Sequence, residues 1–147
     1  MRLNFKTTMP FDKKRATNFE EKILGGTKIH TLRQSDRIKV GMKLQMTVGS
    51  RYKPRVFAEK VCVSTQLAKI ILKYDPAIGL FGLDIYVTYT TKSDAYLNPE
   101  ELQVFVKNDG FDTLEHFVDW FFPNRNAVEG FNKMETLNVI HWTDLKY

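Results

Sequence analysis

The residues best suited to chemistry lie in one run, Gly25-Gly26-Thr27-Lys28-Ile29-His30-Thr31-Leu32-Arg33, where a glycine pair leads into polar and basic side chains interleaved with Ile29 and Leu32. A threonine hydroxyl is a poor nucleophile until a neighbouring base removes its proton, and a lysine can be that base when burial or a nearby cation lowers its pKa. Lys28, Thr31 and Arg33 supply an amine, a hydroxyl and a cation at short spacing. Residues three apart meet on a helix or a tight turn but point to opposite faces of a regular strand, so Lys28 and Thr31 cooperate only if the chain bends near the glycines. The same side chains have ordinary uses: Thr31 as a strand threonine, Lys28 and Arg33 as solvated charges or phosphate contacts. His30 reads as a satisfied or exposed histidine rather than a proton shuttle.

A second cluster, Ser50-Arg51-Tyr52-Lys53-Pro54-Arg55, sets three cations around one aromatic ring in an expected hairpin. Arginine and tyrosine faces stack on unpaired bases while the charges hold phosphates, and a plain polar hairpin tip explains the same composition. The aromatic stripe Phe117, Trp120, Phe121, Phe122 has helical spacing and reads as core, with Trp120 at the edge of a cleft. Phosphate-cradling, dinucleotide, zinc-protease and serine-hydrolase motifs are all missing. Cys62 is a lone cysteine, and with His30, His116 and His141 it makes no zinc spacing, so neither a metal nor a cofactor is expected.

Gly26-Thr27-Lys28-Ile29-His30-Thr31-Leu32-Arg33 resembles the signature of the ASCH family, part of the PUA-like superfamily, in which a helix runs into a Gly-x-Lys-x-x-Thr-x-Arg element. Lys39-Val40-Gly41-Met42-Lys43-Leu44 is similar to the strand opening that follows there, and Asn108-Asp109-Gly110-Phe111 with Thr113-Leu114-Glu115 and Trp120-Phe121 to the family's acidic-Gly-Phe turn and next helix. The resemblance covers most of the chain outside Tyr74 to Pro99. It implies an α+β fold, a small curved PUA-like barrel flanked by helices, with a cleft for RNA or a modified nucleoside. For members that look like amidohydrolases of acetylcytidine it implies a catalytic lysine, threonine and glutamate, which fall here on Lys28, Thr31 and Asp109. Asp109 is one methylene shorter than the family's glutamate. Arg33, Arg51, Tyr52, Lys53, Arg55 and Trp120 would join Lys28 in holding the nucleic acid or nucleoside.

These residues need elements to place them. Leu3 to Phe5 suggests a short strand, and Phe11 to Leu24 a helix with Phe19 and Ile23 on one face, ended by Gly25-Gly26. Thr27 to Arg33 reads as a transition. Alternation predicts strands at Lys43 to Val48, Val56 to Val63, Ala68 to Leu72, Leu80 to Thr91 and Thr136 to Trp142. Asn98-Pro99-Glu100-Glu101 is a capping box opening a helix that ends at Gly110, and a second helix, capped by Asp112, runs to Pro123. Tyr74 to Pro99 is the expected elaboration on a smaller core.

The totals frame a single domain spanning 147 residues, 43% of them hydrophobic. No run reaches the roughly 18 apolar residues of a membrane span, so no membrane partner and a cytoplasmic location are expected. Residues 1–73 carry 17 Lys/Arg against 5 Asp/Glu, whereas 74–147 carry 5 against 12. Such asymmetry makes either a basic face for phosphates or two halves that complement each other. Three functions follow: an RNA- or nucleoside-binding domain, a metal-free amidohydrolase of an acylated pyrimidine nucleoside, and an accessory domain that meets a protein through its aromatic C-terminal region.

Overall fold

A computed structural model describes residues 1–88 and 95–147. Its elements are β1 (Arg2–Asn4), α1 (Phe19–Leu24), β2 (His30–Arg33), β3 (Lys43–Gly49), β4 (Pro54–Val61), β5 (Ser64–Asp75), β6 (Leu80–Val87), β7 (Ala95–Tyr96), α2 (Pro99–Asn108), α3 (Leu114–Phe121) and β8 (Asn132–His141). The class is α+β, as expected. One sheet has the order β1-β3-β4 and the other β2-β8-β5-β6-β7. Among the described residues β1 and β3 run parallel and the other paired strands are antiparallel. Among the described residues no strand ladder joins the two sheets into a closed barrel. They meet where β4 passes into β5: Cys62 N–H donates to the Met42 carbonyl at 2.9 Å and Val63 N–H to that of His141 at 2.8 Å.

The long strands follow from strict alternation. In β5, Ser64, Gln66, Ala68, Ile70 and Leu72 face inward while Leu67, Lys69 and Lys73 are exposed. Helices α2 and α3 close the core with Leu102, Phe105, Val106, Phe117 and Val118. Helix α2 opens on the expected box: Asn98 accepts from Glu101 N–H at 2.9 Å, and Glu101 accepts from Asn98 N–H at 2.9 Å.

Several boundaries depart from expectation. Helix α1 begins at Phe19, not Phe11. Residues 7–17 instead fold back on themselves, with Thr17 N–H on the Thr7 carbonyl, Met9 N–H on that of Arg15, and the Thr17 hydroxyl on the Lys6 carbonyl at 2.6 Å. Asn18, at φ +53°, then takes a left-handed turn that a helix cannot pass through. Helix α3 is capped by Thr113, whose hydroxyl accepts from His116 N–H at 3.1 Å, because Asp112 is engaged by Lys22 at 2.7 Å. The transition after the glycines contains a true strand, β2, and β5 and β8 run longer than expected. Tyr74 to Pro99 supplies the end of β5, then β6 and β7, which extend the larger sheet; the expected strand residues 89–91 lie outside the described residues.

Candidate functional site

The turn after α1 decides where Lys28 points. The Lys22 carbonyl accepts from both Thr27 N–H (2.9 Å) and Lys28 N–H (3.0 Å), and Ile29 N–H donates to the Asn108 carbonyl at 2.9 Å. Lys28 therefore precedes β2 rather than belonging to it, and the opposite-faces rule for a strand does not apply. Its ammonium crosses to the C-terminal end of α2, where Nζ donates to Asp109 Oδ1 at 2.9 Å and to the Asp109 carbonyl. The Asp109 carboxylate also accepts from Leu32 N–H, so the acid is tied to β2 between Thr31 and Arg33. The aspartate reaches the lysine despite its shorter side chain. Both are buried, at 1% exposure for Lys28 and 2% for Asp109.

Gly110 makes this close approach possible. Its φ is +91°, and a Cβ there would lie 2.7 Å from Lys28 Cδ and 3.0 Å from two ring carbons of Phe19. A left-handed backbone and the lysine stem both demand glycine at this position. Gly110→Ala is expected to cost about 2–3 kcal/mol in a urea melt, combining backbone strain with overpacking.

Above the Lys28–Asp109 pair lies a cavity of about 150 Å³ whose lining includes Thr31 and Arg33 with Phe5, Phe19, Phe111, Trp120 and Phe121. An engineered cavity of about that volume in another protein holds benzene, so the space suits one six-membered ring. The walls are edge-on aromatics: Phe19 and Phe111 at 5.6 Å, Phe19 and Trp120 at 5.6 Å, Phe111 and Trp120 at 5.4 Å. Cations sit against them, with Lys28 Nζ 4.7 Å from the Phe19 centroid, the Arg33 guanidinium 5.3 Å from Phe5 and Lys6 Nζ 5.6 Å from Trp120. Arg33 is further held by donation to the Asn4 carbonyl at 3.0 Å.

Burial dominates the electrostatics. It lowers the Lys28 pKa, with Asp109 opposing that shift and Arg33 and Lys22 adding to it. It raises the Asp109 pKa, with Lys28, Arg33 and the Leu32 N–H opposing. An amine pushed toward its neutral form beside a carboxyl pushed toward its acid form is a combination suited to moving protons.

Lys28, Thr31, Arg33, Asp109 and Trp120 are thus brought to one pocket. The other sequence candidates are not. Arg51, Tyr52 and Lys53 form the exposed turn between β3 and β4, with Tyr52 90% exposed. Arg55, on β4, grips Glu20 through two hydrogen bonds of 2.6 and 2.9 Å. His30 faces away from the pocket, 4.9 Å from the Phe105 centroid, with Nδ1 3.1 Å from the Tyr147 hydroxyl. Phe5, Lys6, Phe19 and Phe111 also line the pocket, although none is a site candidate in the sequence: Phe19 reads there as a helix core residue, and the Gly-Phe pair is the signal for Phe111. The oppositely charged halves partly complement each other, since Lys28–Asp109 and Lys22–Asp112 join one to the other.

Among the described residues no group of three or more His, Cys, Asp or Glu side chains is placed to hold a metal ion, and no helix is long and apolar enough to cross a membrane. Comparison with models of known families, with characterised proteins and with solved structures finds no match to this chain.

Proposed function

We propose that the chain binds a pyrimidine-type base, presented as a modified nucleoside or within RNA, in the pocket above Lys28 and Asp109, on a PUA-like scaffold. The observation that carries this is a fully buried ion pair at the floor of an aromatic cavity the size of one ring. Such a pair adds little to stability compared with well-packed apolar residues, so its place under a cavity is better explained by a ligand. Lys28 donates twice to Asp109, which leaves one ammonium proton for the edge of a base. Aromatic walls stack on its faces. The test is a calorimetric titration with acetylcytidine, cytidine and adenosine. Pyrimidines are expected to bind and the larger purine to bind about tenfold more weakly or not at all; equal affinity for all three, or for none, refutes the reading.

A second reading, hydrolysis of an acyl group on that base, is favoured by the burial-lowered pKa of Lys28 in a lining that also contains Thr31. Lys28 takes the Thr31 hydroxyl proton as Oγ1 bonds to the acyl carbon. The C–N bond then breaks, with the proton returned to the leaving amine, and water releases the acid from the acyl-threonine. On this reading Thr31→Val lowers deacylation, followed by product chromatography, by about a hundredfold or more while nucleoside affinity changes by less than about threefold. Turnover unaffected by the substitution removes Thr31 from the reaction.

A further inference from the structure

We infer that the outer edge of β6 is a docking groove for an extended peptide segment carrying apolar residues at alternate positions and a lysine or arginine beside them. Leu97 N–H donates to the Ile85 carbonyl at 2.8 Å, and on the opposite side Thr88 N–H donates to the Leu67 carbonyl at 2.9 Å. Alternation along the strand then turns the N–H and C=O groups of Phe81 and Leu83 to the edge away from β5. Among the described residues, β7 and Leu97 cover that edge from Ile85 to Val87, and nothing pairs with Phe81 or Leu83 along it. An open edge with exposed apolar side chains is what proteins ordinarily avoid. Here Leu80 is 61% exposed and neighbouring Ile78 is 67% exposed.

Beside this edge lies a cavity of about 580 Å³ between β6, α2 and α3, lined by apolar side chains that include Phe81, Leu83, Leu102, Leu114 and Val118. Its dimensions fall within the range of ligand pockets. The charge around it points to the occupant. Asp84 and Glu115 are exposed and make no ion pair among the described residues. The cation in the lining, Arg125, is committed to Asp119 at 2.6 Å and lies over Phe81 at 5.5 Å. An added strand would satisfy the free backbone groups, drop alternate apolar side chains into the cavity and set a basic residue against Asp84 and Glu115.

The probe is the capped peptide Ac-Lys-Val-Thr-Leu-Thr-Val-Lys-NH₂, with glutamate replacing both lysines as control, titrated into nitrogen-15-labelled protein. The lysine peptide is expected to shift the Phe81 and Leu83 amides, to slow their hydrogen exchange and to bind about tenfold more tightly than the glutamate peptide. The surface double variant Asp84→Lys/Glu115→Lys reverses that preference and leaves nucleoside titrations unchanged. Absence of any shift at Phe81 and Leu83, or affinities that ignore the peptide's charge in both proteins, overturns the inference without touching the nucleoside pocket.

Discussion

Lys28→Met is expected to lower folding stability by about 3–5 kcal/mol, because it leaves the Asp109 carboxyl buried without its cation. For a chain of this size that is a fall in melting temperature of roughly 10 °C or more. The methionine keeps most of the lysine's volume against Phe19 and Gly110, so the loss reports charge rather than a hole. Adding Asp109→Asn removes the orphaned carboxyl while keeping an oxygen to accept from Leu32 N–H, and should return about 2 kcal/mol. Urea melts of the two single variants and the double variant give the coupling directly. Function follows a different order: on the proposed function both Lys28→Met proteins lose nucleoside binding, including the restabilised one. A double variant that regains stability and binds as well as the parent would make the pair structural.

Acid should unfold the protein through two buried histidines on neighbouring strands. His30 of β2 and His141 of β8 face each other across the sheet, with ring centroids 5.4 Å apart. Burial lowers the pKa of both, His141 from 6.5 to about 4. The charges of Lys28 near His30 and Lys146 near His141 push in the same direction, while Tyr147 and Gln66 supply the surrounding polar groups. Neither nitrogen of His141, nor Nε2 of His30, has a hydrogen-bond partner among the described residues. The unfolded chain therefore takes up protons that the folded one refuses: stability is intact above pH 6.5 and falls as pH drops from there toward 4. Each histidine contributes a slope of about 1.4 kcal/mol per pH unit within its window, so His141 alone withdraws about 3 kcal/mol by its lower end. Thermal melts between pH 7 and pH 4 measure this, and His141→Phe should flatten the curve; an unchanged slope in that variant would place the acid sensitivity elsewhere.

Much of this molecule was legible before its fold. Helix α2 is written in local chemistry, a cap, a proline and a reciprocal glutamate, and its box forms as the spacing requires. The false start of α1 shows the limit: Phe11 sits at a plausible helical position, but hydrogen bonds between residues 7 and 17 and the left-handed Asn18 override it. At the site, Lys28, Thr31 and Arg33 are close in sequence, and their shared pocket follows from one turn. Asp109 comes from a helix end 81 residues away and was placed only by family resemblance. The walls were hidden for a physical reason. Phe5, Phe19 and Phe111 are each ordinary core residues in their own segments, and only the tertiary packing gathers them around one cavity. Conversely, Arg55 looked free in sequence because Glu20, its partner, is distant along the chain.

The most direct test of the proposed nucleoside pocket is a chemical-shift titration of the nitrogen-15-labelled protein with acetylcytidine. Saturable shifts at the Trp120 indole N–H and the Leu32 amide, with none at the exposed turn of Arg51 to Lys53, are the expected result. Shifts confined to that turn, or no saturable shift at Trp120 and Leu32, would contradict the pocket as the place where a base is read.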